Sequence, residues 1–164
     1  MIRLAAAAVL DLLEREGELL GVRGVLPSSF SGVADDSRIV GPGFLFVAIK
    51  GSAADGHDYL DGAAQRGAGA AVVTDSTRRT PLPVVEVRDS RRVAGLLAAL
   101  AYGYPSRTLR AVAVTGTNGK STTVAILRHL LDSESEPAAS IGTLGVLLRS
   151  QGQAFPGGAG LTTP

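Results

Sequence analysis

The 164-residue sequence has no cysteine, no tryptophan, one methionine and two histidines. Without cysteine there can be no disulfide and no thiolate metal site. With only His57 and His129, a histidine-based zinc site lacks ligands. Aromatic residues make up 4% of the chain, too few for the stacking platforms of a single-strand binder. An excess of one charge is also missing. Sixteen Lys+Arg against fifteen Asp+Glu leave a formal +1, and the arginines are scattered, so nucleic acid is not an expected partner. No apolar run is long enough to span a bilayer, and no membrane association is expected. Residues 1–10 have the apolar character of a leader. However, Asp11, Glu14, Arg15 and Glu16 follow at once, with no small-residue cleavage site between. A soluble, cytoplasmic chain is expected.

What is present is apolar residue, 45% of the total, enough to pack a core in one ordinary domain or two small ones. Val9, Leu12, Leu13 and Leu20 share a helical face, which predicts a helix over residues 4–20. A Gly/Pro/Ser-rich loop over residues 21–31 follows. Residues 44–49, 70–74 and 84–87 read as buried strands. Between the first two, Asp58 is placed to cap a helix carrying Leu60, Ala63 and Ala64. Ser90 is placed to cap another, with Val93, Leu96, Leu97, Leu100 and Ala101 on its apolar face, ending at Tyr104-Pro105. Beyond it come a strand at residues 111–114, a helix at 121–131 with Val124, Leu127 and Leu131 on one face, and a strand at 144–148. Strands alternate with helices, so the class is α/β with mostly parallel sheet. A domain boundary is expected near Arg88, giving domains 1–88 and 89–164. The second has too few strands to close a sheet around a core, so the chain is expected to stop inside that domain.

The sharpest local signal is Thr115-Gly116-Thr117-Asn118-Gly119-Lys120-Ser121, between an apolar run and an amphipathic helix. Gly116 and Gly119 let backbone N–H groups turn inward with no Cβ in the way. The helix beginning near Lys120 aims its positive end at an anion. Lys120 adds a cation that reaches β- and γ-phosphates, and the Ser121 hydroxyl is placed to bind Mg²⁺. The loop is shorter than the general pattern: the position five before Gly119 is Val114, and the glycine is Gly116.

Residues 115–123, Thr-Gly-Thr-Asn-Gly-Lys-Ser-Thr-Thr, resemble the ATP loop of the Mur ligases and their folylpolyglutamate synthetase relatives. The segments Asp36-Ser37-Arg38, Gly43-Phe44-Leu45-Phe46-Val47-Ala48 and Asp55-Gly56-His57-Asp58-Tyr59 resemble the UDP-binding domain of the MurE and MurF branches. Ile141-Gly142-Thr143-Leu144-Gly145 and Leu161-Thr162-Thr163-Pro164 are similar to MurE rather than MurF. The resemblance implies a small N-terminal UDP-binding α/β domain followed by the beginning of an ATP-binding domain. It also implies an ATP-dependent amide ligase of peptidoglycan precursor synthesis. Such an enzyme adds meso-diaminopimelate or L-lysine to UDP-N-acetylmuramoyl-L-alanyl-D-glutamate through an acyl phosphate. Carried over by position, UDP-sugar contacts fall on Asp35, Ser37, Ser52, Ala53 and Ala54, where the family often has His-Gln at the first two loop positions. Contacts to the muramoyl-dipeptide fall on Thr162 and Thr163. ATP contacts fall on Gly116, Thr117, Asn118, Gly119, Lys120, Ser121 and Thr122, with Lys120 the catalytic cation and Ser121 the Mg²⁺ ligand. The expected partners are small molecules (the UDP-linked dipeptide, ATP and a diamino acid), and a monomer is expected. The family's acidic metal ligand, carbamylated lysine and amino-acid-binding domain lie past the Thr-Thr-Pro motif. The chain alone is therefore expected to be inactive and only marginally folded beyond Arg88. A non-catalytic UDP-sugar/ATP-binding module and a MurF-type ligase are the alternatives.

Overall fold

The computed structural model describes residues 3–51 and 54–154. The chain forms two compact units, residues 1–110 and 111–164.

In the first unit, β1 (Leu4–Ala5) pairs antiparallel with β3 (Ser29–Phe30), and helix α1 (Ala6–Arg15) starts directly after β1. The central sheet has five strands in the order β2-β7-β6-β5-β4: β2 (Leu19–Arg23), β4 (Gly32–Ala34), β5 (Phe44–Val47), β6 (Ala70–Val73) and β7 (Val84–Val87). Strands β4 to β7 run parallel, and β2 closes one edge antiparallel to β7. Every residue of β6 is buried, as a central parallel strand covered on both faces requires. Helices α2 (Leu60–Gln65) and α3 (Ser90–Ala101) supply the covering, together with α1. One face carries Val9, Leu12, Leu13, Leu45, Val47, Val72, Val85, Val93 and Leu97. The other carries Phe46, Leu60, Ala63, Ala71 and Val84. Each buried Val, Leu or Phe side chain contributes roughly 1.5–3 kcal/mol relative to exposure.

Four expectations change here. The helix over residues 4–20 is only α1, because Gly17 at φ +69° ends it and Leu19-Leu20 join the sheet as β2. Periodicity alone could not separate a helix from a strand joined so closely. The cap of the segment leading into α2 is Asp55, not Asp58: a 3₁₀ turn, Gly56–Tyr59, precedes the helix, and Asp55 accepts from His57 N. Likewise α3 is capped by Asp89, whose Oδ1 accepts from Arg91 N and Arg92 N at 2.9 and 3.1 Å. Ser90 is instead its first, buried residue. Finally, α3 buries Val93 and Leu97 in the core shared with α1 and β5. The compact unit therefore runs to Arg110, and the helix expected to open the second domain belongs to the first.

A charge cluster with the buried Glu18 at its centre fastens α1 and β2 to α3. Glu18, 4% exposed, accepts from Asp89 N through Oε2 at 3.1 Å and faces Arg92 Nη1 through Oε1 at 3.3 Å. Arg92 Nη2 also reaches Glu16 at 3.2 Å. Glu18→Ala leaves the Asp89 amide without this acceptor and is expected to cost about 2–3 kcal/mol of stability. Glu18→Gln keeps an acceptor and is expected to cost less. Urea unfolding of the two variants checks the order.

The second unit contains α4 (Lys120–Leu131) and an antiparallel sheet in the order β10-β9-β8, with β8 (Ala139–Gly142), β9 (Gly145–Leu148) and β10 (Gln153–Ala154). This sheet departs from the expected parallel arrangement. Residues 111–114 form no strand, because among the described residues no neighbouring strand offers them a ladder. Asp132 joins α4 to the hairpin: Oδ1 accepts from Ala138 N and Oδ2 from Ser150 N, both at 2.9 Å. These bonds hold its carboxyl below the usual range. No residue of α4 is buried; Val124 and Leu127 are half-buried and Leu131 is 58% exposed.

Candidate functional site

Two places in the chain carry the residues singled out by the sequence, one in each unit.

In the first unit, parallel strands β4, β5 and β6 bring their C-terminal ends to one edge of the sheet, the edge where open α/β sheets bind ligands. Asp35, Ser37, Ala54 and Thr74 all follow these strand ends. Asp35 is exposed and lines a cavity of about 700 Å³ with Ser31, Val33, Phe44, Ala98 and Tyr102. Next to it, Asp36 Oδ1 accepts from both N and Nε of Arg38 at 2.9 Å, and Oδ2 accepts from Nη2 at 2.6 Å. This fork lowers the Asp36 pKa to about 2 and fixes the turn on which Ser37 sits. The turn is the side-chain-to-backbone arrangement expected of such a sequence.

The loop after β5 is tied at its base. Gly51 N donates to Ala54 O at 2.8 Å, Gly56 N donates to Ile49 O at 2.9 Å, and Lys50 bridges to Asp55. Ala54 is exposed; Ser52 and Ala53 lie outside the described residues. His57 is buried. The Thr74 amide donates to its Nε2 at 3.1 Å, so the ring proton sits on Nδ1 and is donated to Asp55 Oδ1 at 2.6 Å. With both ring nitrogens engaged by the scaffold, His57 orients the loop rather than exchanging protons. The two His57 bonds, backbone first and ring second, with Arg78 adding a smaller attraction, lower the Asp55 pKa.

A pH dependence follows. Both Asp36 and Asp55 have folded pKa values below the unfolded value near 4. Their contribution to stability is present above that value and is lost as pH falls through the folded values. The thermal midpoint of the first unit is expected to be flat from pH 7 to about 5 and to fall as pH drops below about 4. Asp36→Asn should flatten part of that fall in a melting series.

In the second unit, Gly119 takes φ +77° and is the residue before α4; Gly116 takes φ +140°. Space does not demand glycine at Gly119, since nothing lies within 4 Å of a built Cβ. The left-handed backbone does. Thr123 N donates to Gly119 O at 2.9 Å, the first bond of the helix. The amides of Lys120, Ser121 and Thr122 have no intrahelical acceptor, as at any helix start, and they point where an anion is stabilised. Lys120 Nζ lies back over the loop, 2.5 Å from Gly116 O and 3.3 Å from Thr117 O. The ammonium is therefore above the loop, bonded to its carbonyls. Thr117, Asn118, Ser121 and Thr122 are exposed. Thr162 and Thr163 lie outside the described residues. Ser121 in the first turn of α4 can give a Mg²⁺ ion one hydroxyl oxygen. No cluster of three or more acidic or histidine side chains that could hold a metal occurs among the described residues.

Residues 29–104 match the family described as Mur ligase family, catalytic domain. Over 136 residues the chain is 40% identical to the UDP-N-acetylmuramoyl-L-alanyl-D-glutamate–2,6-diaminopimelate ligase of Geobacter sulfurreducens, covering 82% of this chain and 27% of that protein. Over most of its length the chain is similar to Mur ligases. The like-named ligase of Geobacillus thermodenitrificans is 44% identical over 110 residues, 67% of this chain and 22% of that protein. The chain thus spans about a quarter of the length of these Mur ligases. Among solved structures, MurF from Acinetobacter baumannii superposes with a TM-score of 0.60 at 23% identity, over 79% of this chain and 27% of that one, a likeness of fold. A solved UDP-N-acetylmuramoyl-L-alanyl-D-glutamate–2,6-diaminopimelate ligase superposes with a TM-score of 0.58 at 25% identity, over 76% and 26%. The Mur ligase match ends within the first unit, at residue 104.

No local pattern in the sequence marks the side chain that braces the first site: Arg78 faces Asp55, Asp58 and Asp75. Asp55 was legible in principle, because an Asp two residues before a free N–H is an Asx-turn signal.

Proposed function

We propose that this chain is the nucleotide-gripping portion of a ligase that joins 2,6-diaminopimelate to UDP-N-acetylmuramoyl-L-alanyl-D-glutamate. The observation that carries the reading is the 40% identity over 136 residues to a ligase of that name. ATP transfers its γ-phosphoryl group to the D-Glu side-chain carboxylate, giving an acyl phosphate and ADP. The diaminopimelate amine then attacks the acyl carbon, phosphate leaves, and an amide forms. The first unit takes the UDP end of the substrate through Asp35, Ser37 and the loop bearing Ser52, Ala53 and Ala54. The second takes ATP through residues 116–122, with Lys120 on the phosphates and Ser121 toward Mg²⁺, which neutralises phosphate charge when bound. The contacts to the muramoyl-dipeptide are assigned in this proposal to Thr162 and Thr163, on the resemblance of Leu161-Thr162-Thr163-Pro164 to the family motif. Phosphoryl transfer depends on positioning and charge neutralisation, which is the work of these two grips. The proposal includes a cytoplasmic reaction and a monomeric enzyme.

The test is ADP release by the ligase that contains this segment, supplied with ATP, the UDP-linked dipeptide and one amine at a time. Turnover with diaminopimelate and none with L-lysine supports the reading. Turnover only on the tripeptide precursor with D-alanyl-D-alanine would replace it with the MurF-type alternative.

A further inference from the structure

Arg78 lies in the segment joining β6 to β7, and its guanidinium spans three carboxylates. Nη1 bonds Asp58 Oδ1 at 2.9 Å, Nη2 lies 3.6 Å from Asp55 Oδ2, and Nε lies 3.6 Å from Asp75 Oδ2. The other half of the Asp55 carboxylate is committed, since Oδ1 takes both the backbone N–H and the ring N–H of His57. Asp75 is in turn fixed by the amide and hydroxyl of Thr77. The Arg78 carbonyl accepts from Arg23 Nη2 at 3.3 Å. The segment after β6 is thus fastened to the turn that follows Ala54 by one side chain, whose contacts lie 20 and 23 residues away in sequence.

We infer that Arg78 is a positioning residue for nucleotide-sugar binding: it holds the Ala54–Asp55 turn in place and offsets the negative charge of Asp55, Asp58 and Asp75 beside it. This rests on the reading that the first unit binds UDP. Without Arg78, three carboxylates at the ligand edge of the sheet stand uncompensated, and they repel a diphosphate while leaving an uncharged nucleoside indifferent. Because the side chain is 45% exposed, its pairs are screened by salt and add little to global stability. Loss of Arg78 should therefore leave the fold in place and show in the ligand.

Two measurements on the full chain test this, one of them without ligand. In Arg78→Ala, amide hydrogen exchange at Gly51 and Gly56, whose N–H groups close the loop base, is expected to quicken at least tenfold, with the circular dichroism spectrum unchanged. By calorimetry, Arg78→Ala is expected to weaken UDP at least tenfold at low salt and uridine less than threefold. Arg78→Ala with Asp58→Asn is expected to recover part of the UDP loss. If the native chain binds no UDP, the reading of the first unit fails, while the exchange data still decide whether Arg78 holds the loop. Native-like exchange together with UDP affinity within twofold of native would overturn the inference.

Discussion

Gly56→Ala is expected to unfold the loop after β5 and abolish UDP binding. A Cβ at this position would stand 2.5 Å from Ile49 N, 2.7 Å from Ile49 O and 3.0 Å from Ala48 C. All three are backbone atoms of the segment continuing β5, and Ala48 is fully buried with its N–H bonded to Val72 O. No flexible side chain can yield. Gly56 does not need a left-handed backbone, so this is a clash and not a dihedral penalty. Overpacking of this kind costs typically 1–3 kcal/mol and more where backbone must move; about 3 kcal/mol is expected here. The shift would also break the bond from Gly56 N to Ile49 O and displace the Asp55–His57 cap. Gly62→Ala is the matched control. Gly62 lies within α2, and nothing lies within 4 Å of its built Cβ, so alanine should stabilise by up to about 1 kcal/mol. Urea melts of the pair should move in opposite directions.

Lys120→Ala is expected to weaken ATP by roughly 10- to 150-fold, the value of about 1.5–3 kcal/mol for hydrogen bonds to a charged group, and to leave UDP affinity unchanged. Lys120→Arg should not restore it. The ammonium now sits over Gly116 O and Thr117 O as a compact point charge, and a planar guanidinium cannot occupy that position in the same way. Equilibrium ATP binding, measured in parallel with UDP binding, separates loss of the second grip from general unfolding.

How far the sequence spoke for the structure depends on whether the deciding interaction was local. The strands at Phe44–Val47 and Ala70–Val73 were legible because buried parallel strands need continuous apolar runs. The same rule misled at residues 111–114, where an apolar run has no partner strand among the described residues. Leu19–Arg23 was hidden because its leucines continue the helical rhythm of α1, and only the left-handed Gly17 marks the break. The helix start at Lys120 was readable in the sequence, since Gly119, Lys120 and Ser121 lie within one turn of chain. Glu18 and Arg78 were not. Their partners lie 71 residues away at Asp89 and 20 at Asp58, and no local pattern announces a bond across that distance. His57 fell between: its Asp55 partner is two residues away, whereas its Thr74 partner, which fixes the tautomer, is seventeen away.

On the proposed function the chain holds two separate nucleotide grips, a UDP grip in residues 1–110 and an ATP grip at residues 115–122. Calorimetric titration of the 164-residue chain with UDP, repeated in the presence of saturating ATP and again with Ser37→Ala, tests it most directly. The expected result is one UDP per chain, an affinity unchanged by ATP, and a marked loss in Ser37→Ala. Competition between UDP and ATP for a single site, or UDP binding indifferent to Ser37 and to the loop at Ala54, would contradict it.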